Sequence, residues 1–123
     1  MGNTITVAVL DNVTGTWTLR QIQKGYKALQ GIVKGLIQIV PTGDDDKFTL
    51  YCNEEGKIYG LPITGIWISP ETGEWLDELR GDLVATGPAD EEGEDTDATE
   101  AVIEALKRHI IPVIKTEKLV VNG

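Results

Sequence analysis

Thr4–Leu10 (TITVAVL) sets Ile5, Val7 and Val9 against Thr4, Thr6 and Ala8. That period of two, in β-favouring residues, predicts a half-buried strand. Asp11, Asn12 and Gly15 supply turn chemistry. Residues 16–22 (TWTLRQI) alternate again, with Trp17, Leu19 and Gln21 opposite Thr18, Arg20 and Ile22, so the two strands are expected to pair as a hairpin. The period then changes. Between Gly25 and Gly35, Tyr26, Leu29, Ile32, Val33 and Leu36 fall on one helical face. Gly31 costs that helix about 1 kcal/mol relative to Ala, and Gly35 is placed to end it. Residues 36–40 (LIQIV), closed by Pro41 and Gly43, and residues 48–52 (FTLYC) predict a second hairpin across an Asp-rich turn.

Residues 53–74 have no clean period. Gly56, Gly60, Gly65 and Gly73 with Pro62 and Pro70 predict tight turns, or backbone lying close to a neighbour. Residues 75–79 read as one helical turn, and residues 82–86 (DLVAT) as a strand stopped by Gly87 and Pro88. After an acidic loop at 89–97, Asp97 and Glu100 form an Asp-x-x-Glu capping pattern. Ala98, Ala101, Val102, Ala105, Leu106 and His109 then mark one helix face, with Lys107 and Arg108 suited to its C-terminal dipole. Pro112 is expected to stop the helix and residues 112–123 to form an extended tail. The expected fold is a single α+β domain over residues 1–123 in the order β-β-α-β-β-loop-β-α. It has a mostly antiparallel sheet of about five strands and two main helices.

Composition narrows the function classes. The 123 residues fit one domain, and 41% hydrophobic content excludes wholesale disorder. No apolar run is long enough for a membrane helix and no secretory leader is visible, so a soluble cytoplasmic protein is expected. One cysteine, Cys52, and one histidine, His109, leave nothing for a disulfide or a Cys/His metal site; both read as packed core residues. The net charge of −9 is concentrated. Asp90, Glu91, Glu92, Glu94, Asp95, Asp97, Glu100 and Asp44 to Asp46 account for ten acids, and without them 11 basic residues face 10 acidic ones. Such runs are expected at solvated loop tips, whereas a mimic of the DNA backbone needs charge spread along a face. No phosphate loop, dinucleotide-binding glycine pattern or zinc-protease pattern is present, and His109 alone is a poor base for nucleophilic catalysis. Met1-Gly2-Asn3-Thr4-Ile5-Thr6 and Asn12-Val13-Thr14 match acylation and glycosylation patterns by letter, without the polybasic patch or leader either would need.

One phrase is more specific. Tyr51-Cys52-Asn53-Glu54-Glu55-Gly56-Lys57 followed by Gly60-Leu61-Pro62 resembles a family of small phage and mobile-element proteins catalogued as a domain of unknown function. Residues 28–35 (ALQGIVKG), the strand after them, and residues 80–87 (RGDLVATG) running into acidic residues agree in order, so the resemblance spans about residues 4 to 106. An Asn-Arg pair that follows the Leu-Pro in the family is absent here, where Thr64 and Gly65 stand, and no role of that pair carries over.

The resemblance implies a phage-encoded accessory protein in the cytoplasm of an infected bacterium. By analogy with small phage proteins that counter host immunity, it implies a non-catalytic sponge for a nucleotide signal of cyclic ADP-ribose or cyclic oligonucleotide type. The residues such a site would use are Lys57 and Arg80 for phosphate, Tyr59 and Trp67 (or Trp75) for stacking, Asn53 for a base edge, and Glu54 or Asp82 for ribose hydroxyls. No cofactor, metal, nucleic acid or membrane is implied. A homo-oligomer, a dimer or higher, is expected from the small core and three tryptophans. Two other classes stay open: an acidic decoy of a host DNA-binding or restriction protein, and an enzyme that cleaves a nucleotide with spare carboxylates.

Overall fold

A computed structural model describes residues 3–11, 13–41 and 47–113. The chain forms β1 (Thr4–Leu10), β2 (Trp17–Gln23), α1 (Tyr26–Val33), β3 (Ile37–Ile39), β4 (Thr49–Asn53), β5 (Ile63–Ile68), β6 (Trp75–Arg80), β7 (Leu83–Thr86), α2 (Glu100–His109) and β8 (Ile110–Pro112). These make an α+β fold with a five-stranded antiparallel sheet in the order β2-β1-β7-β4-β3 and a three-stranded sheet in the order β6-β5-β8. No helix among the described residues is long and apolar enough to cross a membrane. The expected Asp-rich turn at 44–46 and the tail beyond residue 113 lie outside the described residues.

Both predicted hairpins form, with Thr4 opposite Gln23 in the first and Ile37 opposite Asn53 in the second. β1 is not half-buried, however. Ile5, Val7 and Val9 pack with Leu29 and Val33 of α1, while Ala8 and Leu10 pack on the other side with Leu106 and Ile110. The large sheet is covered on both faces over its inner strands, and all four residues of β7, the polar Thr86 included, are buried.

Three local expectations are corrected. Residues 75–79 are part of strand β6, paired along β5, rather than a helical turn. A five-residue stretch such as Trp-Leu-Asp-Glu-Leu has no strong intrinsic commitment, and pairing satisfies its backbone. The irregular segment 53–74 contains β5, whose interior Gly65 hides it from propensity. A Cβ at Gly65 would meet Ile110 Cγ2 at 2.6 Å, so the glycine admits β8. Finally, α2 is capped by Thr99, whose hydroxyl accepts from Val102 N at 3.3 Å. Asp97 is instead spent on β1, its Oδ1 accepting from Thr6 N at 2.8 Å.

The end of α1 also differs from expectation. Lys34, at φ 63°, takes the left-handed position rather than Gly35. His109 is buried as anticipated, stacked on Trp67 with centroids 5.0 Å apart and edge-on to Phe48.

Candidate functional site

The turn at 54–60 folds back against β6. Gly56 packs on Arg80, and Leu61 N reaches Gly56 O at 2.9 Å. Between this turn, β4 and β6 lies a cavity of about 300 Å³ walled by Asn53, Glu54, Lys57 and Arg80, together with Cys52, Asp77 and Glu78. Four residues expected from sequence thus converge on one cavity.

Its chemistry is different from that expected. Lys57 Nζ is 2.6 Å from Asp77 Oδ1, and Arg80 Nη2 is 2.8 Å from Glu78 Oε1, so each cation has a carboxylate beside it. Arg80 Nη1 also donates to Leu61 O at 2.9 Å. Three carboxylates, Glu54, Asp77 and Glu78, outnumber the two cations on the wall. Arg80 Nε is buried without a hydrogen-bond partner among the described residues. Asn53 is 7% exposed and its amide is already used: Nδ2 donates to Val33 O at 3.0 Å, and Oδ1 accepts from Glu55 N at 2.7 Å. Burial pushes the Cys52 thiol above its ordinary value, Asp77 adds to the shift, and Lys57 opposes it.

The other three expected residues lie elsewhere. Tyr59 stands exposed at the tip of the turn and lines neither this cavity nor the larger cleft described next. Trp67 is in the core, with one face covered by His109. Asp82 follows β6, with Lys34 Nζ 3.8 Å from its carboxylate.

A larger cleft, about 430 Å³, opens on the α1 side of the main sheet. Ile5, Ile22, Leu29 and Ile39 give it apolar surface beside the polar Thr49 and Thr86, and Lys24, Gly25 and Tyr26 line it at the start of α1. The acidic loop supplies the far wall through Gly93, Glu94 and Asp95. Tyr26 is 68% exposed. Tyr51, 4% exposed, donates its hydroxyl to both oxygens of Asp95 at 2.9 Å each. Burial, then the Asp95 hydrogen bond and charge, and then Tyr26 push the Tyr51 phenol far above its ordinary value. No side chain caps the first turn of α1, which begins after Gly25 at φ 118°.

Asp90 to Glu94 are exposed, as expected of a loop tip, and the loop also braces its own backbone. Asp90 Oδ1 accepts from Glu92 N and Glu94 N at 2.9 Å each, and Gly93 turns at φ 79°. Gly87, whose N donates to Thr96 O at 2.8 Å, closes the base of the loop. This cleft is hidden in the sequence, because helical spacing puts Tyr26 on the packed face of α1 and the charge run puts Asp95 in open water. The available signal was Asp90 followed by Gly93, a turn-forming pair inside a charge run.

An aromatic face, apolar surface, a positioned carboxylate and one ammonium can bind a small polar-aromatic molecule. No curated protein and no solved structure matches the chain. Residues 5–111 match the model of the family described as Domain of unknown function (DUF3846), and the chain belongs to that family.

Proposed function

We propose that the domain binds and sequesters a small nucleotide without turning it over, in the cleft between α1 and the acidic loop. The observation that carries the reading is the pairing of an exposed aromatic ring, Tyr26, with the oriented carboxylate of Asp95 in one partly apolar cleft. Tyr26 offers a stacking surface for a base, and Asp95 and Glu94 accept from ligand hydroxyl or amino groups. Lys24 and the uncapped first turn of α1 offer the positive end for phosphate. The cleft volume lies in the range of small-molecule sites.

The smaller cavity is the weaker seat. A phosphate there would have to displace Asp77 from Lys57 and Glu78 from Arg80, and would face Glu54 as well. The biological setting we propose is a phage-encoded accessory protein, working as a homo-oligomer in the cytoplasm of an infected bacterium. It would withhold a host immune signal of cyclic ADP-ribose or cyclic oligonucleotide type. An acidic decoy has less support in the loop at 90–97, because Asp90, Asp95 and Asp97 direct carboxylate oxygens to the protein's own N–H and O–H groups.

The test is a thermal-shift screen of the full chain against cyclic ADP-ribose isomers and cyclic dinucleotides, with the ligand recovered after heating the complex. A shift with intact ligand supports sequestration, and a cleaved ligand makes the protein an enzyme. A complete absence of shifts removes the nucleotide reading. Light scattering reports assembly, a mass of 13.4 kDa being that of the monomer.

A further inference from the structure

We infer that the cleft admits nucleotides whose phosphates are all bridging, with one charge each, and rejects those that end in a terminal phosphate. The inference rests on the nucleotide reading of the same cleft and names the phosphate chemistry it selects. It starts from the charges on the lining. Among the described residues, Lys24 is the one cation there, against the carboxylates of Glu94 and Asp95. The Tyr51 hydroxyl lies 2.9 Å from both oxygens of Asp95, and a neutral donor holds that charge in place without cancelling it. Repulsion acts through space, so neither carboxylate needs a free face or a contact with the ligand. Asp90, Glu91 and Glu92 on the same loop, and the net charge of −9 on the whole chain, have the same sign.

Phosphates differ in the charge they bring. A phosphate on a single ester bond titrates a second time near pH 6 and carries about −1.5 to −2 at pH 7. One joined on both sides, in a phosphodiester or a pyrophosphate bridge, has lost that second acidic oxygen and keeps a single charge. Lys24 matches one such charge, whereas the surplus on a terminal phosphate is set against Glu94 and Asp95. Like charges a few ångströms apart in a partly buried site repel strongly enough to change affinity about tenfold or more. The effect is exclusion. Ordinary nucleoside mono-, di- and triphosphates, which share base and sugar with a nucleotide signal, are turned away by charge alone. Cyclic ADP-ribose and cyclic oligonucleotides contain only bridging phosphates and fall on the admitted side.

Calorimetric titration of the full chain with two matched pairs tests this: 3′,5′-cyclic AMP against AMP, and cyclic di-AMP against its linear 5′-phosphorylated dinucleotide. Within each pair one phosphate ester is opened, which turns one bridging phosphate into a terminal one. At low salt the cyclic member should bind about ten- to a hundredfold more tightly than the linear one. That ratio should shrink between about 0.01 M and about 1 M salt, as the Debye length falls from about 30 Å to about 3 Å. Selection by ring shape alone would not respond to salt in this way. Glu94→Gln should lower the low-salt ratio, and Asp95→Asn should lower it while keeping an acceptor for Tyr51. Equal affinity within both pairs, or tighter binding of the linear members, overturns the inference alone and leaves nucleotide binding standing. A ratio that salt does not change, or that survives intact in both folded variants, also overturns it. Failure of every probe to bind, together with an empty screen of cyclic nucleotides, overturns the nucleotide reading and this inference with it.

Discussion

A Cβ on Gly35 would stand 2.6 Å from Nδ2 of Asn53, and that closeness is how β4 locks the end of α1. The same nitrogen donates to Val33 O at 3.0 Å and to Lys34 O at 3.3 Å, two carbonyls that the helix itself leaves without partners. The Asn-Glu-Glu-Gly phrase therefore begins with a residue whose amide holds α1 to the main sheet. Asn53→Ala should destabilise the fold by about 1–3 kcal/mol in urea denaturation. Gly35→Ala should cost about 1–3 kcal/mol by overpacking. Combined, the two should cost less than their sum, because the alanine Cβ no longer meets the amide.

The acidic run should split into two classes under mutation. Glu91 and Glu92 are exposed, and replacing both by Gln should change stability by less than about 0.5 kcal/mol. Asp97→Ala removes the acceptor for Thr6 N and should cost about 1 kcal/mol or more. Thermal denaturation of the two variants side by side measures the difference; equal, negligible effects would show that the loop does not brace β1.

Tyr51 gives the fold an alkaline limit. Its ordinary value is 10.0, and burial with Asp95 beside it raises the folded value well above that. Below about pH 10 both folded and unfolded chains keep the proton, so this group adds no pH dependence there. Above that, the unfolded chain loses the proton first and binds fewer than the folded one, so stability falls as pH rises. The slope from this one group is at most about 1.4 kcal/mol per pH unit. Urea denaturation from about pH 8 to about pH 11 should show a decline that is shallower in Tyr51→Phe.

Trp67→Ala should behave as a core mutation and cost about 3–5 kcal/mol, since it removes a buried ring stacked on His109. Any loss of ligand binding in that variant should track loss of the folded population by circular dichroism, and a folded variant that has lost binding would place the ligand near the indole.

Lys57→Ala should leave both stability and binding close to wild type. Its pair with Asp77 is more than half exposed on the lysine side, and such pairs contribute about 1 kcal/mol or less. Tyr26→Ala, by contrast, should lower nucleotide affinity by about 1–3 kcal/mol through lost stacking. Titration of the two variants with the same nucleotide decides which cavity is occupied: the reverse result moves the ligand to the Lys57 side.

Sequence by itself determined the elements whose partners are close along the chain or whose apolar face repeats. The alternation over residues 4–10 and 16–22 specified the first hairpin, and helical spacing specified α1 and α2, because a local period states which face must leave water. It also placed His109 inside, since an imidazole on an apolar helix face is packed more readily than it is hydrated. What only the tertiary structure decided depends on what lies across from a residue. β5 was unreadable because Gly65 is there to admit Ile110, a contact made by a distant strand. Asp97 carries the letter of a helix cap, yet Thr6 N lies closer to its function than the helix does, and Thr99 takes the cap. The same holds at the candidate site. Lys57 and Arg80 are cations in sequence, but in the fold each stands against a carboxylate of β6, while Tyr26 and Asp95, unremarkable as letters, are brought together on one cleft by α1 and the acidic loop. A side chain's type is local information; its partner, and therefore its net charge and its freedom to bind, is fixed only by chain segments that meet in three dimensions.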